Sequence, residues 1–88
     1  KEGKTMDNKA VVIFRILKRK QEHDLEIPLD ISANELFVAL NTAYELGIDT
    51  GDIKNCYLQA ERPIALLKGN KRLAEFGVRN GTIIYFTR

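Results

Sequence analysis

One histidine and one cysteine, His23 and Cys56, are the side chains that could act as base and nucleophile in covalent catalysis. Such a pair works only when the thiol and the imidazole are in hydrogen-bond contact. The two residues fall in strand-like segments that we expect on opposite sides of a central strand pair. We therefore predict a solvated histidine, a core cysteine and no catalytic residue. Since no second histidine or cysteine can complete a ligand set, we also expect no metal site. We expect no cofactor and no enzymatic activity either.

Two further motifs could bind phosphate groups, and neither is complete. Gly3-Lys4-Thr5 resembles the end of a nucleotide-binding loop but lacks the earlier glycine, the spacer and the preceding strand. The basic runs Lys18-Arg19-Lys20 and Lys71-Arg72 have no aromatic residues between them on which bases could stack. We therefore expect no nucleic-acid partner.

The length and composition are those of one small domain. The 88 residues are 30% charged and 44% hydrophobic, which suits a single globular core. We expect a flexible tail at residues 1–8 and one domain at residues 9–88. A single cysteine allows no internal disulfide, and no apolar stretch is long enough for a signal peptide or a membrane span. These features favour the cytoplasm, with recruitment to the inner face of the membrane only through a partner.

Charge is segregated along the chain, although the formal net charge is only +2. Residues 1–20 carry seven basic and two acidic side chains, and residues 54–88 carry the same numbers. Residues 21–53 carry eight acidic side chains and no lysine or arginine. Such a sequence can fold into a dipolar surface that orients a charged partner.

One amphipathic helix is predicted over about residues 33–46. Ser32 and Glu35 have the spacing of a capping box, and Ile31 and Leu36 have that of a hydrophobic staple. Apolar residues then recur on one face, so the helix must pack this face against another apolar layer. We expect Gly47 to end the helix in the left-handed conformation.

Strand-like segments lie on both sides of this helix. Residues 10–17 and 23–29 predict two strands, and Pro28 places the second at a sheet edge because proline cannot donate a hydrogen bond. Residues 55–60, 63–67 and 82–86 predict three more strands. Between the last two we expect a single helical turn at residues 73–78 and a tight turn at Asn80-Gly81.

The last part of the chain resembles the end of ubiquitin-like domains. The residues that carry this resemblance are Leu73-Ala74-Glu75-Phe76-Gly77-Val78-Arg79-Asn80-Gly81-Thr82-Ile83-Ile84. It implies an α+β, ubiquitin-like β-grasp fold, with a mixed four- to five-stranded sheet packed on one α-helix. In that fold the last strand pairs between the first and the third.

Within this superfamily, the strand from Asp24 to Asp30 and the helix that begins at Ser32 resemble the small YukD/EsaB family. The similarity spans about residues 10–86. The resemblance implies a cytosolic accessory protein of the type VII secretion system of Gram-positive bacteria. Such a protein has no enzymatic activity and contacts membrane-bound components of the secretion apparatus.

The C-terminal residues bear on whether the chain is attached to other proteins. Conjugation and sulfur carriage by ubiquitin-like proteins require a flexible Gly-Gly tail, whereas this sequence ends Tyr85-Phe86-Thr87-Arg88. We therefore expect a docking module that is not conjugated. Two alternatives stay open: a modifier or sulfur carrier whose tail lies beyond Arg88, and a regulatory domain of a larger protein.

The strand phases predict an apolar surface on the sheet face away from the helix, hereafter the distal face. The predicted protein-binding residues of this face are Val11, Ile13, Arg15, Tyr57, Ile83 and Tyr85. Monomers rarely expose a contiguous apolar patch without a function, and tyrosine is favoured at interfaces. We expect Arg15 and Arg62 to rim the face and to select an acidic partner surface; a homodimer through the same face stays open.

A small GTPase is a less suitable partner. Domains of this fold that bind such proteins use a basic second strand, whereas the second strand here carries Asp24 and Glu26 and no lysine or arginine. These carboxylates would repel an acidic switch region.

Overall fold

The computed structural model describes residues 8–87, so the predicted tail at residues 1–8 lies outside the described residues except for Asn8. The elements, in chain order, are β1 (Lys9–Ile16), a 3₁₀ turn (Leu17–Arg19), β2 (Gln21–Pro28), α1 (Ala33–Tyr44), a 3₁₀ helix (Thr50–Asn55), β3 (Leu58–Glu61), β4 (Ala65–Leu67), a 3₁₀ helix (Leu73–Phe76) and β5 (Ile83–Phe86).

The five strands form one mixed sheet in the order β2-β1-β5-β3-β4. β1 and β5 are parallel, and the other neighbouring pairs are antiparallel. β2 lies at an edge, where Pro28 was expected to place it. The predicted α+β class is confirmed, with five strands, one α-helix and the last strand between the first and the third.

The core lies between the sheet and α1. The β1 residues predicted to face inward, Val12, Phe14 and Ile16, are each at most 1% exposed. From the helix side, the ring centroid of Phe37 lies 6.2 Å from that of Phe86 in β5. Full burial of one large apolar side chain contributes about 1.5–3 kcal/mol to the free energy of folding. The apolar side chains between α1 and the sheet therefore provide most of the free energy that holds the helix on the sheet.

The start of α1 has a partner for every backbone N–H that a helix N-terminus leaves unpaired. The Ser32 hydroxyl accepts from the Glu35 N–H at 3.1 Å, and the Glu35 carboxylate accepts from the Ser32 N–H at 2.8 Å. The N–H groups of Ala33 and Asn34 donate to backbone carbonyls of the loop after β4, each at 3.0 Å. The predicted capping box is thus present, and it joins the helix to the loop after β4.

The end of α1 differs from the prediction. Glu45 is the cap residue, with φ 51°, and Gly47 lies two residues beyond it, although it does adopt the predicted left-handed conformation with φ 76°. The Arg19 guanidinium donates to the carbonyl oxygens of Tyr44 and Glu45, at 2.8 Å each. Because a cation is favourable at a helix C-terminus and here satisfies its last carbonyls, the helix ends before the glycine.

Three strands are shorter than predicted: β3 and β4 by two residues each, and β5 by one, since it begins at Ile83. β3 begins at Leu58 because residues 50–55 form a 3₁₀ helix instead of a strand. The Asp49 carboxylate caps the start of this helix by accepting a hydrogen bond from the Gly51 N–H at 2.9 Å. β4 begins at Ala65, because Pro63 lies in the turn that joins it to β3.

Replacing Ser32 tests the cap. We expect Ser32→Ala to lower the free energy of unfolding by about 1 kcal/mol, since the Glu35 N–H loses its acceptor. Urea denaturation measures this change. The control is Thr42→Ala, which removes an exposed hydroxyl from the same helix and should cost nothing, because alanine has the higher helix propensity. Equal stability of Ser32→Ala and the parent protein would contradict the role of the cap.

Candidate protein-binding face of the sheet

The strand register brings the predicted binding residues of β1 and β5 together on the distal face. Ile13 lies opposite Ile83, and Arg15 lies opposite Tyr85, across the parallel β1–β5 pair. On the other side of β5, Tyr85 lies opposite Gln59 of β3. Since side chains alternate along a strand, Val11 shares the face of Ile13. Tyr57 immediately precedes β3, so strand alternation does not place its side chain.

The predicted binding residues differ in how much of each side chain is exposed to solvent. Val11 is 49% exposed, and Ile13, Tyr57 and Tyr85 are half-buried. Ile83 is only 2% exposed, so the expectation that it adds exposed surface is wrong. It lies on a central strand between Ile13 and Glu61, and neighbours on both sides shield such a position from water.

A chain of polar contacts crosses four strands on this face. The Arg15 Nε atom lies 2.9 Å from Oε1 of Glu22, and its Nη1 atom lies 3.4 Å from the hydroxyl oxygen of Tyr85. That hydroxyl donates to Oε1 of Glu61 at 2.8 Å. Arg15 is therefore paired within the sheet and is not the free rim cation that we expected to select an acidic partner.

These contacts shift two pKa values. The hydrogen bond that Arg15 donates to Glu22 raises the pKa of Arg15 above its ordinary value. The pKa of Tyr85 is raised above its ordinary value of 10.0, mainly because its hydroxyl donates to Glu61, and partly because desolvation and the Glu61 charge disfavour a phenolate there. The tyrosine therefore keeps its proton, and its hydrogen bond to Glu61, at neutral pH.

The most exposed apolar side chains near this face were not predicted. Ile64 is 90% exposed and Leu66 is 51% exposed. Together with Tyr85 they border an open groove of about 420 Å³ above β3, whose other lining residues are Gln59, Ala60, Glu61 and Ala65. The sequence held no signal for this, because residues 64–67 are all apolar and show no alternation of polar and apolar side chains.

Three carboxylates border the opposite side of the face. Glu22, Asp24 and Glu26 are exposed on β2 and lie opposite Arg15, Ile13 and Val11, respectively. Their strand neighbours His23, Leu25 and Ile27 are more buried, which places the carboxylates on the distal side. Arg62, the second predicted rim cation, is exposed in the turn between β3 and β4.

The histidine and the cysteine do not form a pair. His23 lies on β2, at one edge of the sheet, whereas Cys56 follows the 3₁₀ helix that precedes β3, and β1 and β5 lie between β2 and β3. Cys56 is 3% exposed, as expected for a core residue. His23 is not solvated as predicted: it is half-buried, and its ring centroid lies 4.7 Å from that of Tyr44.

Two of the basic residues considered for nucleic-acid binding have contacts inside the domain. Arg19 binds the end of α1, as described above, and the Lys71 ammonium lies 4.9 Å from the ring centroid of Phe76. In the described part of the chain, no group of three or more His, Cys, Asp or Glu side chains could hold a metal ion. No helix among residues 8–87 is long and apolar enough to cross a membrane.

Titration of Tyr85 tests the polar chain. We expect its pKa, followed by NMR of the assigned ring signals, to lie above 10.0 and to fall toward that value in Glu61→Ala. A raised pKa means that Tyr85 contributes stability that is complete below about pH 10, the pKa of an unfolded tyrosine, and is lost as the pH rises through the folded pKa. An unchanged pKa in Glu61→Ala would contradict the hydrogen bond.

The fold is that of solved ubiquitin-like domains. The C-terminal ubiquitin-like domain of mouse tubulin-specific chaperone e matches with a TM-score of 0.68 at 12% identity, over 89% of this chain and 84% of that one. A ubiquitin-like domain from tubulin-binding cofactor B gives 0.68 at 19% identity, over 89% and 87%. The UBL domain of Plasmodium falciparum Dsk2 gives 0.57 at 19% identity, over 88% and 96%. At these identities the likeness shows the fold alone.

No protein with a curated description matches the chain by sequence. The family model described as "WXG100 protein secretion system (Wss), protein YukD" matches residues 11–86, which include all five strands except the first two residues of β1. The chain thus belongs to the YukD family of the WXG100 protein secretion system.

Proposed function

We propose that this protein is a docking module of the WXG100 secretion system that acts through the distal face and is not conjugated to other proteins. Family membership supports the link to secretion. The proposed partners are other proteins, namely membrane-bound components of the secretion apparatus. The proposed location is the cytoplasm, with recruitment to the inner face of the membrane through these partners.

The observation that carries the proposal is the apolar surface on a face that the helix does not cover. Val11 is 49% exposed, and Leu66 on the far edge strand is 51% exposed. Between them lie the half-buried Ile13 and Tyr85. A surface that combines aliphatic side chains with a tyrosine is typical of protein interfaces. Since the core is complete on the other side of the sheet, these residues are not needed to hold α1.

The arrangement of reactive side chains supports binding rather than catalysis. The histidine ring packs against Tyr44 and the cysteine thiol contacts the Asp52 carbonyl, so the two side chains are not in the hydrogen-bond contact that proton transfer between them requires. The Cys56 thiol is buried, and its sulfur lies 3.5 Å from the Asp52 carbonyl oxygen. Neither residue reaches the distal face, where the apolar surface lies.

Affinity purification from cells that contain the secretion system tests the docking role. We expect the tagged protein to recover membrane components of the system. The variant Val11→Ser should recover at least about tenfold less of them, because it removes exposed apolar surface from the interface. Mass spectrometry quantifies the recovered proteins. The matched control is Val38→Ser, which changes a valine that is 41% exposed on α1 and should leave recovery unchanged.

Three results would contradict parts of this proposal. Equal recovery by Val11→Ser and Val38→Ser would exclude the distal face as the docking surface. Recovery of activating enzymes in place of secretion components would favour the alternative of a ubiquitin-like modifier or sulfur carrier. An intact mass of the native protein that includes a Gly-Gly tail or an attached protein would contradict the absence of conjugation.

A further inference from the structure

We infer that the distal face binds a short linear protein segment that is both apolar and positively charged. This inference rests on the proposed docking function and adds the chemistry of the partner. It reverses the sequence-based expectation of an acidic partner, because Arg15 is paired with Glu22 and Arg62 lies at the opposite side of the sheet from the acidic β2.

The β2 side of the face is acidic, because this strand carries three carboxylates and no lysine or arginine. Four carboxylates surround the apolar residues: Glu22, Asp24 and Glu26 on β2, and Glu61 on β3. The Arg15 guanidinium is paired with Glu22 at 2.9 Å. The other nearby cations are Lys9, at the start of β1, and Arg62, which is exposed in the turn after Glu61 at the far side of the sheet from β2.

Asp24 and Glu26 are the carboxylates that are free to attract a partner. Both are exposed, and neither has an ion pair or side-chain hydrogen bond within residues 8–87. They lie directly opposite Ile13 and Val11, so their charge is adjacent to the apolar surface. A lysine or arginine that follows an apolar residue in a bound segment would reach them, which gives charge complementarity and a faster, salt-dependent association.

The groove above β3 provides the apolar anchor site. Its walls are the exposed side chains of Ile64 and Leu66 on one side and the ring of Tyr85 on the other. Glu61 lies at the groove, and its carboxylate already accepts the Tyr85 hydroxyl, which holds the ring in place. One aliphatic or aromatic side chain can fill such a site, as the anchor residues of peptide interfaces do.

The distance between these features suits an extended peptide. The row from Glu22 through Arg15, Tyr85 and Gln59 to Leu66 crosses five strands. With strands about 4.8 Å apart, the row is about 19 Å long, which matches about six residues of extended chain at about 3.3 Å each.

The same charges disfavour two other occupants. A second copy that docks through the same face would bring Asp24 and Glu26 against the like-charged edge or the acidic groove of its partner, and like charges across an interface cost binding energy. An anionic membrane surface would be repelled for the same reason.

Selection from a random peptide library tests the inference and does not require that the partner be identified. Phage that display random peptides of about twelve residues, twice the length that the row accommodates, are selected on the immobilised full-length protein. The enriched peptides are synthesised and titrated by NMR. We expect them to combine apolar or aromatic residues with net positive charge, and to shift the amide signals of Leu66, Tyr85 and Asp24. Their affinity should fall as salt is raised, because exposed charges are screened.

Reversing the charges of Asp24 and Glu26 tests whether the bound peptides are attracted by these carboxylates. The double variant Asp24→Lys/Glu26→Lys should weaken these peptides at least about tenfold, because it replaces attraction with repulsion. The matched control is Asp30→Lys, which reverses an exposed carboxylate after the end of β2 and should change affinity less than about twofold. The salt dependence of the parent protein gives the same information if the double variant does not fold.

Each result has a distinct meaning. Enriched peptides that are neutral or acidic but still shift Leu66 and Tyr85 would overturn the inferred charge and leave the docking proposal standing. Peptides that bind elsewhere, or a failure to enrich any peptide, would overturn the inference that this face takes a linear segment. The docking proposal is decided separately, by the recovery of secretion components with Val11→Ser.

Discussion

The parallel pairing of β1 with β5 determines which side chains reach the core and which reach the distal face. A shift of one residue would exchange Ile84 and Phe86, which pack in the core, for Ile83 and Tyr85. Thr82 holds the register just before β5: it is fully buried, its hydroxyl donates to the Arg62 carbonyl at 2.7 Å, and its own carbonyl accepts from the Ile13 N–H at 2.9 Å. The distal face is thus a consequence of the same pairing that completes the core.

The helix depends on this sheet through its N-terminus. The loop after β4 supplies carbonyl acceptors for Ala33 and Asn34, and the Asn34 side chain in return accepts from the Gly69 N–H at 3.2 Å. Leu73, which follows this loop, is fully buried in the core and donates its N–H to the Ile31 carbonyl at 2.9 Å. These bonds leave the distal face uncovered, because they fix α1 on one side of the sheet.

Features set by residues close together along the chain could be predicted from the sequence. Burial and pairing set by residues that are distant along the chain could not. The capping box and the inward phase of β1 follow from spacing alone, and both are present. The burial of Ile83 depends on its neighbours in two other strands, and the packing of His23 depends on Tyr44 of the helix. Arg15 looked like a rim cation because its partner Glu22 lies across a hairpin whose register no local pattern reveals. Ile64 and Leu66 were missed because residues 64–67 are all apolar, so the sequence does not distinguish their exposed side chains from the buried Leu67.

The central claim is that the distal face is the surface through which this protein docks. Site-specific photo-crosslinking in intact cells tests it most directly, with a photoreactive amino acid placed at position 11, 66 or 38. Val11 and Leu66 lie on the distal side of the sheet, and Val38 is exposed on the helix. We expect covalent adducts with a component of the secretion apparatus from positions 11 and 66 and none from position 38. Adducts from position 38 alone would contradict it and place the interface on the helix.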